Sequence, residues 1–216
     1  MSSDEKKQQL LMCERGVRAI CERRKWQTRR MPACLSEINI RPDEWIVRAP
    51  GGEPVNGTRR WELRNTRTGE EVVVDSPYGG AKSMLWIREP WSFHGGRITF
   101  TASDPVCGDG FEPEPEMLET LAHFKRLEGG HPSLHLPNWA ARFLVFLTSV
   151  QLERLNDLTE SDAREEGAES VEDFLLWFAD LHGPARLNPW LLVLKWETIL
   201  VGQGRDKKLV EKPGRV

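Results

Sequence analysis

Residues 143–155 alternate between apolar and polar side chains through Val145, Leu147 and Val150, and this pattern predicts a β-strand. The apolar run over residues 190–199 predicts a second, buried strand, and residues 84–87 predict a shorter one. The helices that the sequence predicts are all short by comparison. Strands that outnumber short helices are typical of the α+β fold class. We therefore expect a single α+β domain built around a small β-barrel.

The first predicted helix covers residues 14–24, where Val17, Ile20 and Cys21 recur at helical spacing. Because Pro32 disfavours a longer helix, we expect this helix to end close to residues 25–28. Two further helices are predicted at 159–167, which begins with a capping-box pattern and stops at a glycine, and at 170–181.

The segment 35–75 is rich in strand signals, and the turn residues at 65–69 predict a β-hairpin. Residues 105–116 read as a loop and 117–127 as a short surface helix. The predicted organisation is one domain over residues 1–201, with insertions near 35–75 and 105–130. Residues 202–216 are glycine-containing and basic, and they predict a flexible tail.

The charge balance limits the partners that the chain can hold. Thirty basic and 33 acidic residues give a net charge of −3. Proteins that grip long duplex DNA through its phosphates usually carry a clear positive excess, so any nucleic-acid contact is expected to be local. Nine tryptophans against one tyrosine indicate an aromatic core or a stacking surface.

The four cysteines show no CxxC pair, and the sequence contains no apolar run of about 18 residues that could cross a membrane. The first nine residues are polar and charged, unlike a signal peptide. These features predict reduced thiols, a cytoplasmic location and no membrane contact.

Three stretches resemble, in order, the phage and prophage members of the ASCH family. They are residues 17–30 (VRAICERRKWQTRR), residues 77–91 (PYGGAKSMLWIREPW) and residues 131–167, which begin HPSLHLPNWAARF. The resemblance implies a PUA-like β-barrel with a cleft beside the first helix. One bacterial branch of the family removes the acetyl group of N4-acetylcytidine with a Lys, a Thr and a Glu. Matched position by position, these catalytic residues are Lys25, Thr28 and Glu89.

The chemistry of an amidohydrolase gives each of these residues a role. Thr28 supplies the nucleophile, and Lys25, one helical turn before it, is expected on the same helical face as its base. Glu89 would protonate the departing cytosine nitrogen and then activate water. The scheme requires neither a metal nor a cofactor. Alternatively, Lys25 and Thr28 lie on a solvated helix end, where basic side chains merely complement the helix dipole.

Further residues are candidates for contacts with a nucleoside substrate. Flat side chains could stack on the base, an arginine could stabilise the oxyanion, and the 133–142 motif could line the cleft. The candidates are Trp26, Arg29, Tyr78, Trp86, Arg88, Ser133, His135 and Arg142. His131 and His135 have a spacing that binds zinc on a helix, but Pro132 and Pro137 disfavour a helix there, so structural roles are favoured over a metal site.

The expected function is hydrolysis of the N4-acyl amide of N4-acylated cytosine nucleosides, with a small-molecule nucleoside as the partner. Two alternatives stay open. The first is a module that binds RNA or modified DNA without chemistry, and the second is a ribonuclease that uses Lys25, Arg29 and Arg30. Binding through phosphates weakens steeply with salt, whereas cleavage of an uncharged amide does not, so salt dependence separates these readings. The oligomeric state is open.

Overall fold

The computed structural model describes residues 8–49, 57–102, 107–183, 188–202 and 208–213. The chain divides into two compact units. Unit 1 comprises residues 1–23, 84–145 and 198–216, and unit 2 comprises residues 24–83 and 146–197. Each unit therefore combines segments that are far apart in the sequence. Strands predominate and the helices are short, which confirms the α+β fold class.

In chain order, the strands are β1 (Gln8–Leu11), β2 (Gln27–Arg30), β3 (Trp45–Ala49), β4 (Arg60–Asn65), β5 (Glu71–Asp75), β6 (Met84–Arg88), β7 (Trp91–His94), β8 (Arg97–Phe100), β9 (Gly110–Phe111), β10 (Gly129–His131), β11 (Phe143–Arg154), β12 (Trp190–Val201) and β13 (Lys208–Glu211). The α-helices are α1 (Glu14–Cys21), α2 (Pro115–Glu119), α3 (Glu160–Glu165) and α4 (Val171–His182). Short 3-10 turns lie at Ala33–Leu35, Ile38–Ile40, Pro42–Glu44, Ser133–His135, Asn138–Ala140 and Leu155–Asp157.

The strands form three sheets. The largest follows the order β1-β6-β11-β12-β13, and β2 also pairs with β12. A second sheet has the order β10-β7-β8-β9, and a third has the order β3-β4-β5. Across the described ranges, none of these strand orders closes on itself, so the barrel part of the prediction is not confirmed.

Unit 1 packs around the β7–β8 hairpin. Its core includes Trp91, Phe93, Ile98 and Phe100 from the hairpin, and Leu136 from the segment before β11. Burial of these apolar side chains is the main stabilising contribution to such a unit. In the same unit, β1 pairs in parallel with β6, which ends at Arg88 and delivers Glu89 immediately after it.

Unit 2 contains the antiparallel β3-β4-β5 sheet, which matches the strand-rich segment and hairpin predicted from residues 35–75. The amide oxygen of Asn65 accepts hydrogen bonds from the backbone N–H groups of Arg67 and Thr68, and this closes the turn between β4 and β5. The hairpin prediction is therefore confirmed for the described residues.

The later elements of unit 2 also follow the sequence pattern. Thr159 and Asp162 form the predicted capping box at the start of α3, with the Thr159 hydroxyl accepting from the Asp162 N–H. The Ser170 hydroxyl likewise caps α4. The predicted strands at 143–155 and 190–199 are β11 and β12, each 12 residues long.

Several predictions differ from the structure. Residues 105–127, expected as a loop followed by a surface helix, contain β9 and the five-residue helix α2 (Pro115–Glu119). The first helix ends at Cys21 rather than near residues 25–28, because Arg23 adopts a left-handed backbone conformation (φ 58°) that cannot continue the helix. The chain then becomes strand β2. In the segment predicted as a flexible tail, Lys208–Glu211 form β13, which pairs with the end of β12.

Parts of the predicted insertions and tail, namely residues 50–56, 103–106, 203–207 and 214–216, lie outside the described residues. All four cysteines lie within the described residues, and they form no disulfide. No helix in the described ranges is long and apolar enough to cross a membrane.

Candidate functional site

The segment that contains Lys25 and Thr28 is extended rather than helical. Lys25 forms a β-bridge with Glu166, and β2 begins two residues later. Side chains alternate across extended chain, so residues three apart lie on opposite faces. Lys25 and Thr28 therefore do not share a face, and the expectation that a helical turn brings the two side chains together is wrong.

The observed contacts agree with this alternation. Lys25, Gln27 and Arg29 all contact residues in or next to α3. Thr28 is only 4 % exposed and pairs across the strands with Leu194 of β12. Trp26, which shares the Thr28 face by the same alternation, is also buried.

Lys25 is held as an ion pair inside unit 2. Its Nζ lies 2.7 Å from Oε2 of Glu166 and donates a second hydrogen bond, of 2.8 Å, to the Glu166 backbone carbonyl. The ammonium also lies 5.2 Å from the centre of the Trp177 ring, a cation–π distance. An anion and an aromatic face both favour the protonated form of a lysine. Lys25 is therefore arranged as a fixed ammonium.

Arg29 joins the same carboxylate to two others. Its guanidinium lies 3.3 Å from Glu166, 3.0 Å from Glu153 and 3.7 Å from Asp162. Lys195 adds a further cation, 3.5 Å from Asp162. We call Lys25, Arg29, Glu153, Asp162, Glu166 and Lys195 the Lys25 cluster. Its three cations and three anions balance, which is the condition under which buried charges are tolerated.

Asp162 shows the electrostatics of this cluster most clearly. Burial raises the pKa of its carboxyl group, but hydrogen bonds from Thr159 and Gln27 and the charge of Arg29 outweigh that effect and lower the pKa to about 2. The carboxylate is therefore ionised throughout the neutral range and fixes the start of α3.

Tyr78, a candidate stacking residue, lies in unit 2 after β5. The ring is half-buried, and its backbone N–H donates to the Ser76 hydroxyl. Burial raises the pKa of its phenol, with the charge of Arg30 acting against that shift. The phenol therefore stays neutral at physiological pH.

In unit 1, Glu89 pairs with Arg142. Nε of Arg142 donates to Oε1 of Glu89 at 2.9 Å, and Nη2 donates to Oε2 at 2.6 Å. Both residues are 0 % exposed. This is the parallel, two-bond geometry that a guanidinium and a carboxylate favour. The predicted catalytic carboxyl group is thus fixed by a residue predicted as a substrate contact.

The pKa of Glu89 is raised. Burial is the largest cause, because removal from water disfavours the charged carboxylate, and the hydrogen bonds and charge of Arg142 oppose it. A carboxyl group in this state can carry a proton closer to neutral pH than an exposed one.

Arg88 ties β6 to the motif predicted as substrate-binding. Its Nη1 donates to the carbonyl of Leu134 at 2.6 Å, and its Nη2 donates to Oδ1 of Asn138 at 3.1 Å. Its buried Nε has no hydrogen-bond partner among the described residues, and burial lowers the pKa of the guanidinium. In the same motif, Ser133 is half-buried and His135 is exposed.

Trp86 and Arg88 lie on the same face of β6, where both are half-buried, while Leu85 and Ile87 on the other face are buried. Trp91 is different. It is 1 % exposed, and its ring stacks on His131 at 4.4 Å within the core. Trp86 is therefore the tryptophan of this segment that retains an accessible surface.

The predicted catalytic residues come from both units: Lys25 and Thr28 from unit 2, and Glu89 from unit 1. Each of the two charged ones has its ionic partner in its own unit. The prediction missed Glu166, which precedes the glycine that ends α3. It is 141 residues from Lys25 in the sequence, and no spacing rule in one sequence indicates a pairing over that length.

Unit 2 contains a cavity of about 670 Å³, and some of its lining residues are sequence neighbours of residues in the Lys25 cluster. It is lined by Arg24, Ser161, Arg164, Glu165, Ala168 and Glu169, the first and fourth of which are the sequence neighbours of Lys25 and Glu166. Within the described ranges, no three His, Cys, Asp or Glu side chains are placed together to hold a metal ion.

Comparison of the chain with protein families, with curated proteins and with solved structures gave no match.

Proposed function

We propose that this protein is a cytoplasmic ASCH-type amidohydrolase with a PUA-like barrel. It hydrolyses the N4-acyl amide of N4-acylated cytosine nucleosides, of the N4-acetylcytidine type, to the cytidine and a carboxylate without a metal. The observation that carries the proposal is Glu89, a fully buried carboxyl group with a raised pKa at the end of a strand that also presents Trp86 and Arg88. Such a group suits proton transfer to a leaving nitrogen.

In the proposed reaction the Thr28 hydroxyl oxygen attacks the acyl carbon, and its proton passes to the Glu89 carboxylate. Glu89 gives this proton to N4 as the acyl carbon–N4 bond breaks, which leaves an acyl–Thr28 ester. Glu89 then takes a proton from the water that attacks the ester and returns it to the Thr28 oxygen as the acid is released. The pKa of a group that both gives and takes a proton works best near the operating pH, and burial shifts the pKa of Glu89 in that direction. The resemblance assigns the nucleophile to Thr28.

Lys25 has a different role in this proposal from the one expected from the sequence. A general base must be neutral before it reacts, whereas Glu166 and the Trp177 ring favour the Lys25 ammonium. Lys25 also lies on the opposite face of the extended chain from Thr28. We therefore assign Lys25 a structural role within the Lys25 cluster and not that of the base.

Trp86 and Arg88 are the candidate base contacts of β6, since both are half-buried on one face of that strand. The same two side chains favour a second candidate function. An aromatic ring beside a cation also binds a base within single-stranded RNA or DNA, without chemistry.

Hydrolysis of N4-acetylcytidine, followed by ultraviolet absorbance in the presence of EDTA, tests the first function. We expect turnover by the wild type and a decrease in kcat of about 10²–10⁴-fold for Glu89→Gln. Thr28→Ala should abolish activity, and Thr28→Ser should retain part of it. Matched controls are Glu128→Gln and Thr148→Ala, which change an exposed carboxylate and an exposed hydroxyl.

A folded wild-type protein that releases no cytidine from acetyl, benzoyl or deoxy analogues would sink the amidohydrolase proposal. Binding to a fluorescent single-stranded oligonucleotide, measured at increasing salt, then tests the second candidate. Loss of binding in Trp86→Ala, with a steep salt dependence, supports a nucleic-acid module.

A further inference from the structure

We propose that Arg142 is a positioning residue for the Glu89 carboxyl group and not a substrate contact. The expected effect of Arg142 on catalysis rests on the proposed function, in which Glu89 carries the proton. Its structural basis lies in unit 1 alone.

The hydrogen bonds of Arg142 leave no donor for a substrate. An arginine has five N–H donors in a rigid fork. Nε and Nη2 donate to the two carboxylate oxygens of Glu89, and the second Nη2 hydrogen goes to the carbonyl of Ala102 at 2.6 Å. Nη1 donates to the carbonyls of Cys107, at 3.2 Å, and Gly108. All five donors are therefore committed within the protein.

Two aromatic rings pack close to the guanidinium as well. Its Cζ lies 4.2 Å from the centre of the Phe100 ring and 5.2 Å from that of Phe143. These are cation–π distances, and they place aromatic carbon where a stacked ligand would otherwise lie. Because its five donors are used and the residue is 0 % exposed, Arg142 acts on a substrate only through Glu89.

Arg142 fixes the orientation of the Glu89 carboxylate as well as placing a positive charge beside it. The three carbonyls that it binds come from the chain after β8 and the chain before β9. The guanidinium therefore has one orientation, and the two parallel bonds transfer that orientation to the carboxylate. A lysine supplies the charge but not the fork, so it separates the two contributions.

The ionisation of Glu89 also depends on Arg142. Burial raises the pKa of the Glu89 carboxyl group, and Arg142 is the cation that opposes this effect. Removing the charge in Arg142→Gln should raise that pKa further, because the cation that favours the carboxylate is gone. Arg142→Lys should raise it less but leave the carboxylate misoriented.

The test is a pH titration of the Glu89 carboxyl carbon by NMR in protein labelled at the glutamate carboxyl groups, with Glu89→Gln identifying the resonance. This readout needs no substrate, so it stands even if the amidohydrolase proposal fails. The control is Arg154→Gln. Arg154 is a partly buried arginine that binds the carbonyls of Asn188 and Pro42 and packs on the Trp190 ring. It should lower thermal stability without moving the Glu89 titration.

An upward shift of the titration in Arg142→Gln, or in Arg142→Lys where the first variant does not fold, supports the inference. If N4-acetylcytidine is a substrate, Arg142→Lys should also lower kcat at least tenfold with little change in KM, and the pH profile of kcat/KM should shift with the titration. A titration unchanged in both folded variants, or a loss confined to KM, overturns it, because a substrate contact would give the latter result.

Discussion

Nζ of Lys25 lies 2.7 Å from Oε2 of Glu166, and neither side chain is more than 2 % exposed. The pair joins the start of β2 to the end of α3, and the backbones of the two residues form a β-bridge at the same place. Glu166 also accepts from Arg29, so one carboxylate pairs with two cations. Removing one charge of a buried pair destabilises a protein, because the remaining charge loses its closest compensation.

Glu166→Gln should therefore destabilise the protein strongly. The change keeps the shape of the side chain but removes the buried negative charge that lies 2.7 Å from the Lys25 ammonium, at an expected cost of about 3–5 kcal/mol in the free energy of unfolding. Urea unfolding measures it. Replacing both partners by apolar residues, as in Lys25→Met with Glu166→Leu, should cost less than the single change does. Glu172→Gln, on the exposed face of α4, is the control and should stay within about 0.5 kcal/mol of the wild type.

Asp162 should make stability fall in acid. Its pKa in the folded protein is about 2, below its ordinary value of 3.8, so the carboxylate contributes stability above pH 4 that is lost as the pH falls towards 2. The full difference would give about 2.4 kcal/mol, but water screens a partly exposed carboxylate, so we expect about 1 kcal/mol. Unfolding of wild type and Asp162→Asn between pH 7 and pH 3 measures this. The two curves should converge at low pH, and a constant gap would contradict the assignment.

Glu89 should give stability the opposite pH dependence from Asp162. Its folded-state pKa lies above the ordinary value of 4.5, so its contribution to stability is present below pH 4.5 and is lost as the pH rises through the raised pKa. The stability of the wild type relative to Glu89→Gln should therefore decrease from pH 4 towards neutral pH. Chemical unfolding of both proteins across this range is the measurement, and a difference that increases with pH would show that the pKa is lowered instead.

How well the sequence predicts each part of this structure depends on how far apart in the sequence the interacting residues are. The hairpin at Asn65, the capping box at Thr159 and the alternation in β11 depend on neighbouring residues, so their patterns identified them correctly. The segment after α1 was predicted as helix because its own residues permit one. It forms a strand because β12, some 165 residues later, supplies the pairing partner, with Leu194 opposite Thr28.

The candidate site shows the same limit. The sequence motifs identify Lys25, Thr28, Glu89 and Arg142 as candidate site residues. They do not show that all four are buried. Their ionic partners could not be read from the sequence, because a single sequence holds 33 acidic residues and no record of which one meets Lys25. Burial fixes the choice, since a buried cation needs an anion at close range.

Gly110 should be irreplaceable for the β8–β9 pairing in unit 1. Its φ of +155° and its closeness to β8 leave no room for a side chain, because a Cβ there would lie 2.1 Å from the carbonyl oxygen of Ile98 and 2.9 Å from the Thr99 Cα. Gly110→Ala must therefore displace backbone, and we expect a loss of about 2–4 kcal/mol in the free energy of unfolding. Gly130→Ala is the matched control, since the nearest atom to a Cβ at that position is the Ser92 hydroxyl oxygen at 3.8 Å. Thermal and urea unfolding should separate the two variants clearly, and equal stabilities would show that β9 does not approach β8 as closely as this.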